Sequence, residues 1–450
     1  MIARATPHTH PSEPLSIDMP VITSLGDKTR ISSIIHIDGK DTVLWFEVDS
    51  AYRDYLATDT LDAFVTSSLL PAILRGADIK LNGPMSSKLY YNLTNYAIPL
   101  LSHFLNKPAV TKIIPSELRS QYDAKGAGVL SGFSGGVDSF FSYYNHLNDN
   151  VPPEYIITHF SYNNVGSHGQ DSEEIDRAVF TNRQPQLRKF AEDKQKPFIA
   201  VDSNLDKFIG LLFQQSFTVR NIAVAQLLQN VIGKFLGASS NTYPDIGIKP
   251  SMYMSKIEAV LIPLLCTERL ECIFTGAQAT RTEKTVEIAN MPSTHDYLDV
   301  CINPQDTIEG YTNCSRCCKC LDTMVTLDAA GKLKDYGKVF ILERYEMIKN
   351  IYLIAIYSGK GSLMHEIRAF IRKRDFPVSR STRILGFFFP HFLSWSISVY
   401  VIPWLVRHEW LAKLVNNALS AHTDAYFAGI LRSKHDDAAA DSIYSADTAV

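Results

Sequence analysis

The first part of the chain has an apolar pattern that predicts β-strands followed by helices. The segments RISSIIHIDG (residues 30–39) and DTVLWFEVD (41–49) are rich in β-branched and aromatic residues, and the turn-forming Gly39-Lys40-Asp41 separates them. Two further segments, at residues 60–77 and 87–105, repeat apolar residues at helical spacing. We therefore expect a flexible tail at residues 1–21 and an N-terminal α+β domain over residues 22–120.

The pattern changes after residue 120, where short apolar segments alternate with longer helical ones. The predicted strands are GVLSGF, EYIITHF, PFIAVD and ECIFTG, and RNIAVAQLLQNVIGKFLG (220–237) reads as a helix. Strands that alternate with helices predict a parallel sheet covered on both faces. We expect this α/β domain over residues 121–345, a helical region over 346–434 and a disordered tail over 435–450.

Composition places the chain among ordinary globular proteins. Its 450 residues are 46% hydrophobic and 20% charged, with a formal net charge of −3. This balance gives no signal for nucleic-acid binding. The N-terminus lacks the apolar core of a secretory signal, and the seven cysteines are clustered rather than spread. A reducing, cytoplasmic location is therefore expected, in which clustered cysteines bind metal more often than they form disulfides.

One apolar segment raises the question of membrane contact. Residues 384–406 contain no Asp, Glu, Lys or Arg and are long enough to span a bilayer. Pro390, Pro403 and His391 interrupt the segment. We favour a buried or partner-facing pair of helices, with contact at a membrane surface and a true span as the alternatives.

The turn SGGVDS, residues 134–139, carries the main chemical signal. It joins a predicted strand to a helix, and a helix N-terminus attracts anions through its unpaired N–H groups. The two glycines allow the backbone to approach a ligand closely. Asp138 suits a helix cap or a hydrated Mg²⁺ that bridges phosphates. The turn therefore predicts a phosphate or pyrophosphate site.

Three other interpretations of this turn remain open. Residues 132–136 fit the G-x-S-x-G pattern of a hydrolase nucleophile, for which His295 is the best-placed base by chain order. The preceding GAGVLSG approaches a dinucleotide fingerprint, but its glycines lie before the strand. The turn can also be an ordinary glycine-rich connection.

A second motif lies near residue 300. Cys314, Cys317 and Cys320 have C-x2-C-x2-C spacing, and Cys301 precedes them. Four thiolates close a tetrahedral, structural Zn²⁺ site. An Fe–S cluster, a redox pair or a fortuitous cluster are the alternatives, and Cys318 is a fifth candidate ligand.

Together, these motifs resemble the PP-loop ATP pyrophosphatases. SGGVDS after an apolar strand resembles their signature, and the cysteine block is similar to that of the 7-cyano-7-deazaguanine synthases, especially divergent members encoded in bacterial gene clusters such as antiviral defence operons. The resemblance covers roughly residues 128–345. It implies a Rossmann-like parallel sheet of the adenine nucleotide alpha-hydrolase type with a four-cysteine zinc knuckle. The N-terminal α+β domain and the helical C-terminal extension lie outside the resemblance.

The resemblance also implies roles for individual residues. ATP binding falls to Ser134, Gly135, Gly136, Val137, Asp138 and Ser139, with His159 on the segment beside the adenine. Asp138, Ser139, Arg220, Arg281 and Lys284 are the implied catalytic residues, and Cys301, Cys314, Cys317 and Cys320 are the implied zinc ligands. The segment SYNN (161–164) departs from the Asp-Tyr-Gly-Gln of the synthases, and Thr218-Val219 replace their Pro-Gly.

The implied function is an ATP- and Mg²⁺-dependent ligase that adenylates a carboxylate and then amidates it. A deazapurine-like carboxylate is the implied substrate, with a protein terminus or a sugar as other acceptors. The alternatives are a non-catalytic nucleotide-binding subunit of a protein assembly and an amidating enzyme of a polysaccharide cluster. Protein partners from the same gene cluster, and a homodimer, are compatible with the extra regions.

Overall fold

The structure is a computed structural model and describes residues 13–122, 126–147, 150–167, 173–303, 307–388, 396–417 and 419. The predicted tail at residues 435–450 and most of that at 1–21 lie outside these ranges. The described end of the latter includes a β-strand, Leu15–Ile17, so the flexible tail does not extend to residue 21. The chain divides into two compact units. The first contains Met1–Ile288 and Tyr297–Asp299, and the second contains Ala289–Asp296 and Val300–Val450.

The first unit is built on an 11-stranded sheet. Its strands are β1 (Leu15–Ile17), β2 (Val21–Leu25), β3 (Lys28–Ile37), β4 (Lys40–Asp49), β5 (Ile79–Leu81), β7 (Ile113–Ile114), β9 (Gly128–Gly132), β10 (His159–Asn164), β11 (Phe198–Ser203), β12 (Ile232–Ala238) and β13 (Glu271–Thr275). The order is β13-β12-β9-β10-β11-β4-β3-β1-β5-β7, with β2 paired to β3. Strands β6 (Pro84–Ser86) and β8 (Glu117–Arg119) form a separate parallel pair.

The helices of the first unit cover and connect these strands. They are α1 (Asp62–Arg75), α2 (Ser87–Asn92), α3 (Ile98–Phe104), α4 (Val137–Asn145), α5 (Glu173–Asp193), α6 (Leu205–Ile209), α7 (Phe217–Leu227), α8 (Glu258–Leu264) and α9 (Arg281–Ile288). A large apolar core on one side of the sheet combines residues of α1, α7 and α8 with residues of the central strands. The described fold is thus mixed α/β with a parallel-rich sheet.

The predicted N-terminal hairpin is present, with its turn one residue earlier than expected. Ile37 pairs with Lys40, so Asp38 and Gly39 alone form the turn. Both have positive φ, 51° and 70°, as a two-residue hairpin turn requires. Lys40 and Asp41 therefore belong to the second strand.

The predicted domain boundary at residue 120 does not divide the described structure. Strand β4 pairs antiparallel with β11, with Glu47 opposite Asp202 and Phe46 opposite Ser203. Backbone hydrogen bonds thus join the N-terminal strands and the parallel strands into one sheet. The compact units separate near residues 289–300 instead, so the cysteine block belongs with the helical region.

Strands β9 to β13 pair in parallel, and their order along the sheet reverses at the point where the candidate site lies. From β9 the chain moves through β10 to β11, and then returns to place β12 on the other side of β9, followed by β13. In open α/β sheets, ligands bind beyond the carboxyl ends of the strands where the order reverses. Here that point lies between β9 and β12.

Two sequence expectations near this point need correction. Residues 220–237 were expected to form one helix, but α7 ends at Leu227 and Ile232–Ala238 is strand β12. An apolar run of this kind fits a buried helix or a buried strand equally well, and pairing with both β9 and β13 selects the strand. Strand β10 likewise begins only at His159, later than the expected EYIITHF.

The second unit is helical in its described residues. Its helices are α10 (Thr294–Tyr297, whose last residue belongs to the first unit), α11 (Cys318–Ala329), α12 (Leu342–Ser358), α13 (Ser362–Lys373), α14 (Arg380–Phe388), α15 (Ile402–Arg407) and α16 (Glu409–Asn417). The buried helix α12 contacts α11 and α13 to α16. In the described residues, the chain after residue 345 is mainly helical.

The apolar segment 384–406 is described only in part, and its described residues are helical. Helix α14 ends at Phe388, residues 389–395 lie outside the description, and a π-helical stretch (Ile397–Val401) leads into α15. Within the described residues, none of the helices combines the length and the apolar character that crossing a membrane requires.

Candidate functional site

The loop after β9 is shaped by its two glycines and by one backbone hydrogen bond. Gly135 has φ of +74°, and a Cβ at this position would lie 2.9 Å from Leu187 Cδ2. The Asp299 N–H donates to the Gly135 carbonyl at 2.8 Å. This bond draws the carbonyl oxygen toward Asp299, while the left-handed backbone of Gly135 turns the chain into helix α4.

Helix α4 begins directly after this turn and presents its N-terminus there. Gly136 is the N-cap residue, and Val137 is the first helical residue. The Ser139 hydroxyl donates to the Gly136 carbonyl at 2.9 Å, while Ser134 is exposed. Because the first N–H groups of a helix have no intrahelical acceptor, this end of α4 attracts an anion.

Two cations converge on Asp138 in the first turn of α4. The Arg281 guanidinium pairs with Oδ2 of Asp138, and the Lys284 ammonium lies 3.3 Å from Oδ1. Both cations come from α9, where they are separated by almost one helical turn. The structure therefore brings together three of the residues expected to act on a nucleotide.

Lys284 also ties this cluster to the end of β12. Its ammonium donates to the Ser239 carbonyl at 2.6 Å and to the Ser239 hydroxyl at 3.2 Å, and its side chain is 2% exposed. Ser239 directly follows β12. The loop, the helix N-terminus and the buried ammonium thus meet at the reversal between β9 and β12.

Residues that the sequence did not single out support the loop. Asp299, whose backbone holds Gly135, forms a buried ion pair with Arg183 of α5 at 3.0 Å. Ser239 follows the apolar segment 220–237, which the sequence pattern predicts as a helix. The pattern therefore does not place Ser239 at the end of a strand. Asp299 and Arg183 lie far from the motif in the chain, and no local pattern marks them.

Glu258 is a further buried acid that sequence analysis did not find. It is 2% exposed, and its Oε1 accepts a hydrogen bond from the Thr218 hydroxyl at 3.3 Å. Burial raises the pKa of this carboxyl to about 8, with the Asp138 charge acting in the same direction and Lys284 against it. Glu258 thus interacts electrostatically with the cluster around Asp138.

The structure places Arg220 in a buried hydrogen-bonded network. Its guanidinium is fully buried and donates to the carbonyls of Val165 and Leu211, at 2.6 Å and 2.7 Å. It also donates to the Ser216 hydroxyl and pairs with Asp206. The guanidinium thus makes four contacts, which join residues of the surrounding loops and helices and stabilise the described fold.

The two histidines considered earlier have local partners of their own. His159 packs beside Gly128 at the start of β9, and its ring nitrogens contact the hydroxyls of Thr158 and Tyr55. Burial lowers the pKa of His159 to about 4. His295 lies in the second unit, where its ring contacts the Ala289 carbonyl and the Tyr336 ring. The structure does not bring His159 to the Ser134–Ser139 loop.

The second unit contains a candidate metal centre. The sulfur atoms of Cys301, Cys314, Cys317 and Cys320 all lie within 4.8 Å of one another, and all four residues are buried. Sulfur ligands about 2.3 Å from a Zn²⁺ ion stand a little under 4 Å apart in a tetrahedron, so these four thiols fit such an ion. The predicted four-cysteine cluster is thus present and can hold a metal ion such as zinc.

Backbone geometry around the cysteines also suits metal binding. The backbone N–H of Asn303 donates to the Cys301 sulfur, and the backbone N–H of Cys317 donates to the Cys314 sulfur, each at 3.4 Å. Hydrogen bonds from the neighbouring thiols hold the pKa of Cys314 below its ordinary value. Cys318 is not part of the group, and burial raises its pKa to about 11.

No protein-family model, curated protein or solved structure matches the chain.

Proposed function

We propose that the chain is an ATP-dependent ligase of the AMP-forming, carbon–nitrogen type, with its nucleotide site at the Ser134–Ser139 loop. One observation carries the proposal: Lys284 and Arg281 meet the N-terminus of α4 at the carboxyl edge between β9 and β12. A polyphosphate needs such a concentration of positive charge and N–H donors. A Rossmann-like sheet of the nucleotide-binding type is part of this proposal.

The arrangement suits attack at the α-phosphorus of ATP. The loop and the first N–H groups of α4 would hold the phosphates, and a Mg²⁺ ion would neutralise part of their negative charge. An oxygen of a substrate carboxylate attacks the α-phosphorus, the bond to the bridging oxygen breaks, and pyrophosphate leaves with its electron pair. Lys284, Arg281 and the α4 amides stabilise the charge that moves to the leaving group. Asp138 orients the two cations through its ion pairs.

The second half of the reaction forms the carbon–nitrogen bond. An amine nitrogen attacks the acyl carbon of the acyl-adenylate, and AMP leaves as the carbon–oxygen bond breaks. The resemblance to the 7-cyano-7-deazaguanine synthases supports a deazapurine-like carboxylate as the substrate, and a protein or sugar acceptor is the other choice. A cytoplasmic role in a gene-cluster system, such as antiviral defence, belongs to the same proposal.

In this proposal the four cysteines hold a structural metal ion and take no part in the reaction. A Zn²⁺ ion held by Cys301, Cys314, Cys317 and Cys320 has a closed thiolate shell with no open position for a substrate. Such an ion would stabilise the fold of the second unit.

A nucleotide-binding subunit without catalysis is the second candidate. Large apolar side chains of the second unit are exposed, among them Phe388 at 76% and Trp410 at 69%. Exposed aromatic residues of this kind favour a protein partner. In this case ATP binds at the same loop and regulates the assembly.

Isotope exchange between ATP and pyrophosphate separates the two candidates. Purified protein with Mg·ATP, labelled pyrophosphate and a panel of carboxylates, including deazapurine carboxylates, should show exchange that depends on one carboxylate. ATP binding without exchange for any carboxylate supports the binding subunit. Absence of nucleotide binding refutes both candidates.

A further inference from the structure

Glu258 has one carboxyl oxygen that the fold leaves without a partner. Its Oε1 accepts from Thr218, whereas Oε2 is buried and has no hydrogen-bond partner among the described residues. Leaving a buried polar atom unpaired is unfavourable, because the atom loses its hydrogen bonds to water without gaining others. An orphan oxygen of this kind in a side chain that is 2% exposed calls for a functional explanation.

The topology places this carboxyl at the ligand edge of the sheet. Helices α7 and α8 each run back between parallel strands, so their first residues lie at the carboxyl ends of those strands. Thr218 is the second residue of α7, and Glu258 is the first residue of α8. The charges of Asp138 and Lys284 both act on the pKa of Glu258, in opposite directions.

The surroundings of Glu258 favour the neutral carboxylic acid. Burial and the Asp138 charge raise its pKa to about 8, and Lys284 and the Thr218 hydroxyl oppose this. The Lys284 ammonium contacts the Asp138 carboxylate and the Ser239 carbonyl.

Charged groups on the elements packed against α8 have partners of their own. Arg220 of α7 pairs with Asp206, Glu271 of β13 pairs with Lys234, and Lys256 donates to the Asp245 carbonyl. At neutral pH, Glu258 therefore carries an O–H group that has no acceptor in the described structure.

We propose that Glu258 is an anion-binding residue of the nucleotide site, and that its protonated Oε2 donates a hydrogen bond to a phosphate oxygen of the bound nucleotide. A neutral acid adds a donor beside the phosphates without adding negative charge. Ionisation removes the donor and places a carboxylate next to the polyphosphate. The inference rests on the proposed function, because it takes the nucleotide to bind at the Ser134–Ser139 loop.

Calorimetric titration with Mg²⁺ and α,β-methylene-ATP tests this role from pH 6.5 to 9.5. For the wild-type protein we expect the Kd to be level up to about pH 7 and to rise about tenfold by pH 9, as Glu258 ionises. Glu258→Gln keeps an N–H donor of similar shape. It should bind within about threefold of wild type at pH 7 and lose the dependence on pH.

Two more variants complete the test. Glu258→Ala removes the donor and should raise the Kd about tenfold at pH 7. Glu271→Gln is the matched control, because Glu271 lies at the amino end of β13 and pairs with Lys234. It should keep both the wild-type Kd and the wild-type pH profile. Infrared difference spectra of wild type minus Glu258→Gln should show a protonated carboxyl band at pH 7 that disappears by pH 9.5.

Each contrary result has a distinct meaning. If Glu258→Gln binds as poorly as Glu258→Ala, the site needs a carboxylate, and the neutral-donor role is refuted. A wild-type Kd with the same pH dependence as Glu258→Gln refutes it too, while the proposed function stands. If the wild type binds no nucleotide at any pH, the proposed function itself fails, and this inference fails with it.

Discussion

The ammonium of Lys284 lies 3.3 Å from the Asp138 carboxylate and is almost completely buried. The same ammonium donates to the Ser239 carbonyl, so one side chain joins the start of α4 to the end of β12. These two points flank the reversal of strand order. The ion pair thus fixes a positive centre at the place where a parallel sheet binds its ligand.

Replacing Lys284 with Gln should greatly reduce adenylation. We expect pyrophosphate formation to fall by about 10²–10³-fold, because a preorganised charge is lost where charge develops in the transition state. Initial rates of pyrophosphate release measure this effect. Lys349→Gln, which removes an ion-paired lysine of the second unit, is the control and should leave the rate unchanged. Similar losses in both variants would argue against a specific role for Lys284.

Asp138→Asn should separate nucleotide binding from turnover. The change leaves Arg281 and Lys284 without their counter-charge, so the affinity for a polyanion should stay level or rise. Turnover should fall steeply, because the cations lose the partner that orients them. Calorimetry and pyrophosphate release report the two quantities separately. Unchanged turnover would remove Asp138 from the mechanism.

The four cysteines should bind about one zinc ion per chain, as four thiolates close one tetrahedral shell. Cys320→Ser removes one of the four thiols and should lower the metal content and expose the second unit to proteolysis. Cys318→Ser, a change two residues away, should retain the metal, because Cys318 stands outside the group. Elemental analysis of anaerobically prepared protein gives the metal content. Equal loss of zinc in both variants would contradict this assignment of ligands.

Arg220→Met should destabilise the first unit. The guanidinium holds two carbonyls, a hydroxyl and a carboxylate together, and each buried acceptor left unpaired costs about 1–3 kcal/mol. Urea unfolding measures the change in the free energy of unfolding. Arg75→Met breaks the exposed pair with Asp38 and should cost less than about 1 kcal/mol. If Arg220→Met lowers the free energy of unfolding as little as Arg75→Met does, the buried network does not stabilise the fold.

Asp62 should make the stability of the first unit depend on pH. The residue is fully buried, and burial raises its pKa from 3.8 to about 6. The folded pKa of Asp62 is higher than its unfolded pKa. The contribution of Asp62 to the free energy of unfolding is therefore greatest below about pH 4 and is lost as pH rises through about 6. The loss should approach about 3 kcal/mol. The difference in unfolding free energy between wild type and Asp62→Asn, measured from pH 4 to 7, isolates this contribution. A difference that is constant over this range would contradict the raised pKa.

The candidate site was predictable to the extent that its residues form local patterns. The spacing of SGGVDS predicted a strand, a glycine turn and a helix N-terminus, and the cysteine spacing predicted a cluster around one ion. Arg281 and Lys284 were predicted only through the resemblance to a known family. Glu258, Ser239 and Asp299 were not found, because each acts through a contact with residues distant in the chain.

The sequence by itself determined the hairpin of β3 and β4, the helix over 62–75, the alternation of strands and helices, and the cysteine group, since each depends on neighbouring residues. Only the tertiary structure decided that Ile232–Ala238 is a strand, that β4 joins the parallel strands through β11, and that Lys284 reaches Asp138. The physical reason is that strand pairing and buried charge pairs take their free energy from partners far along the chain. A local pattern of apolar and polar residues does not specify those partners.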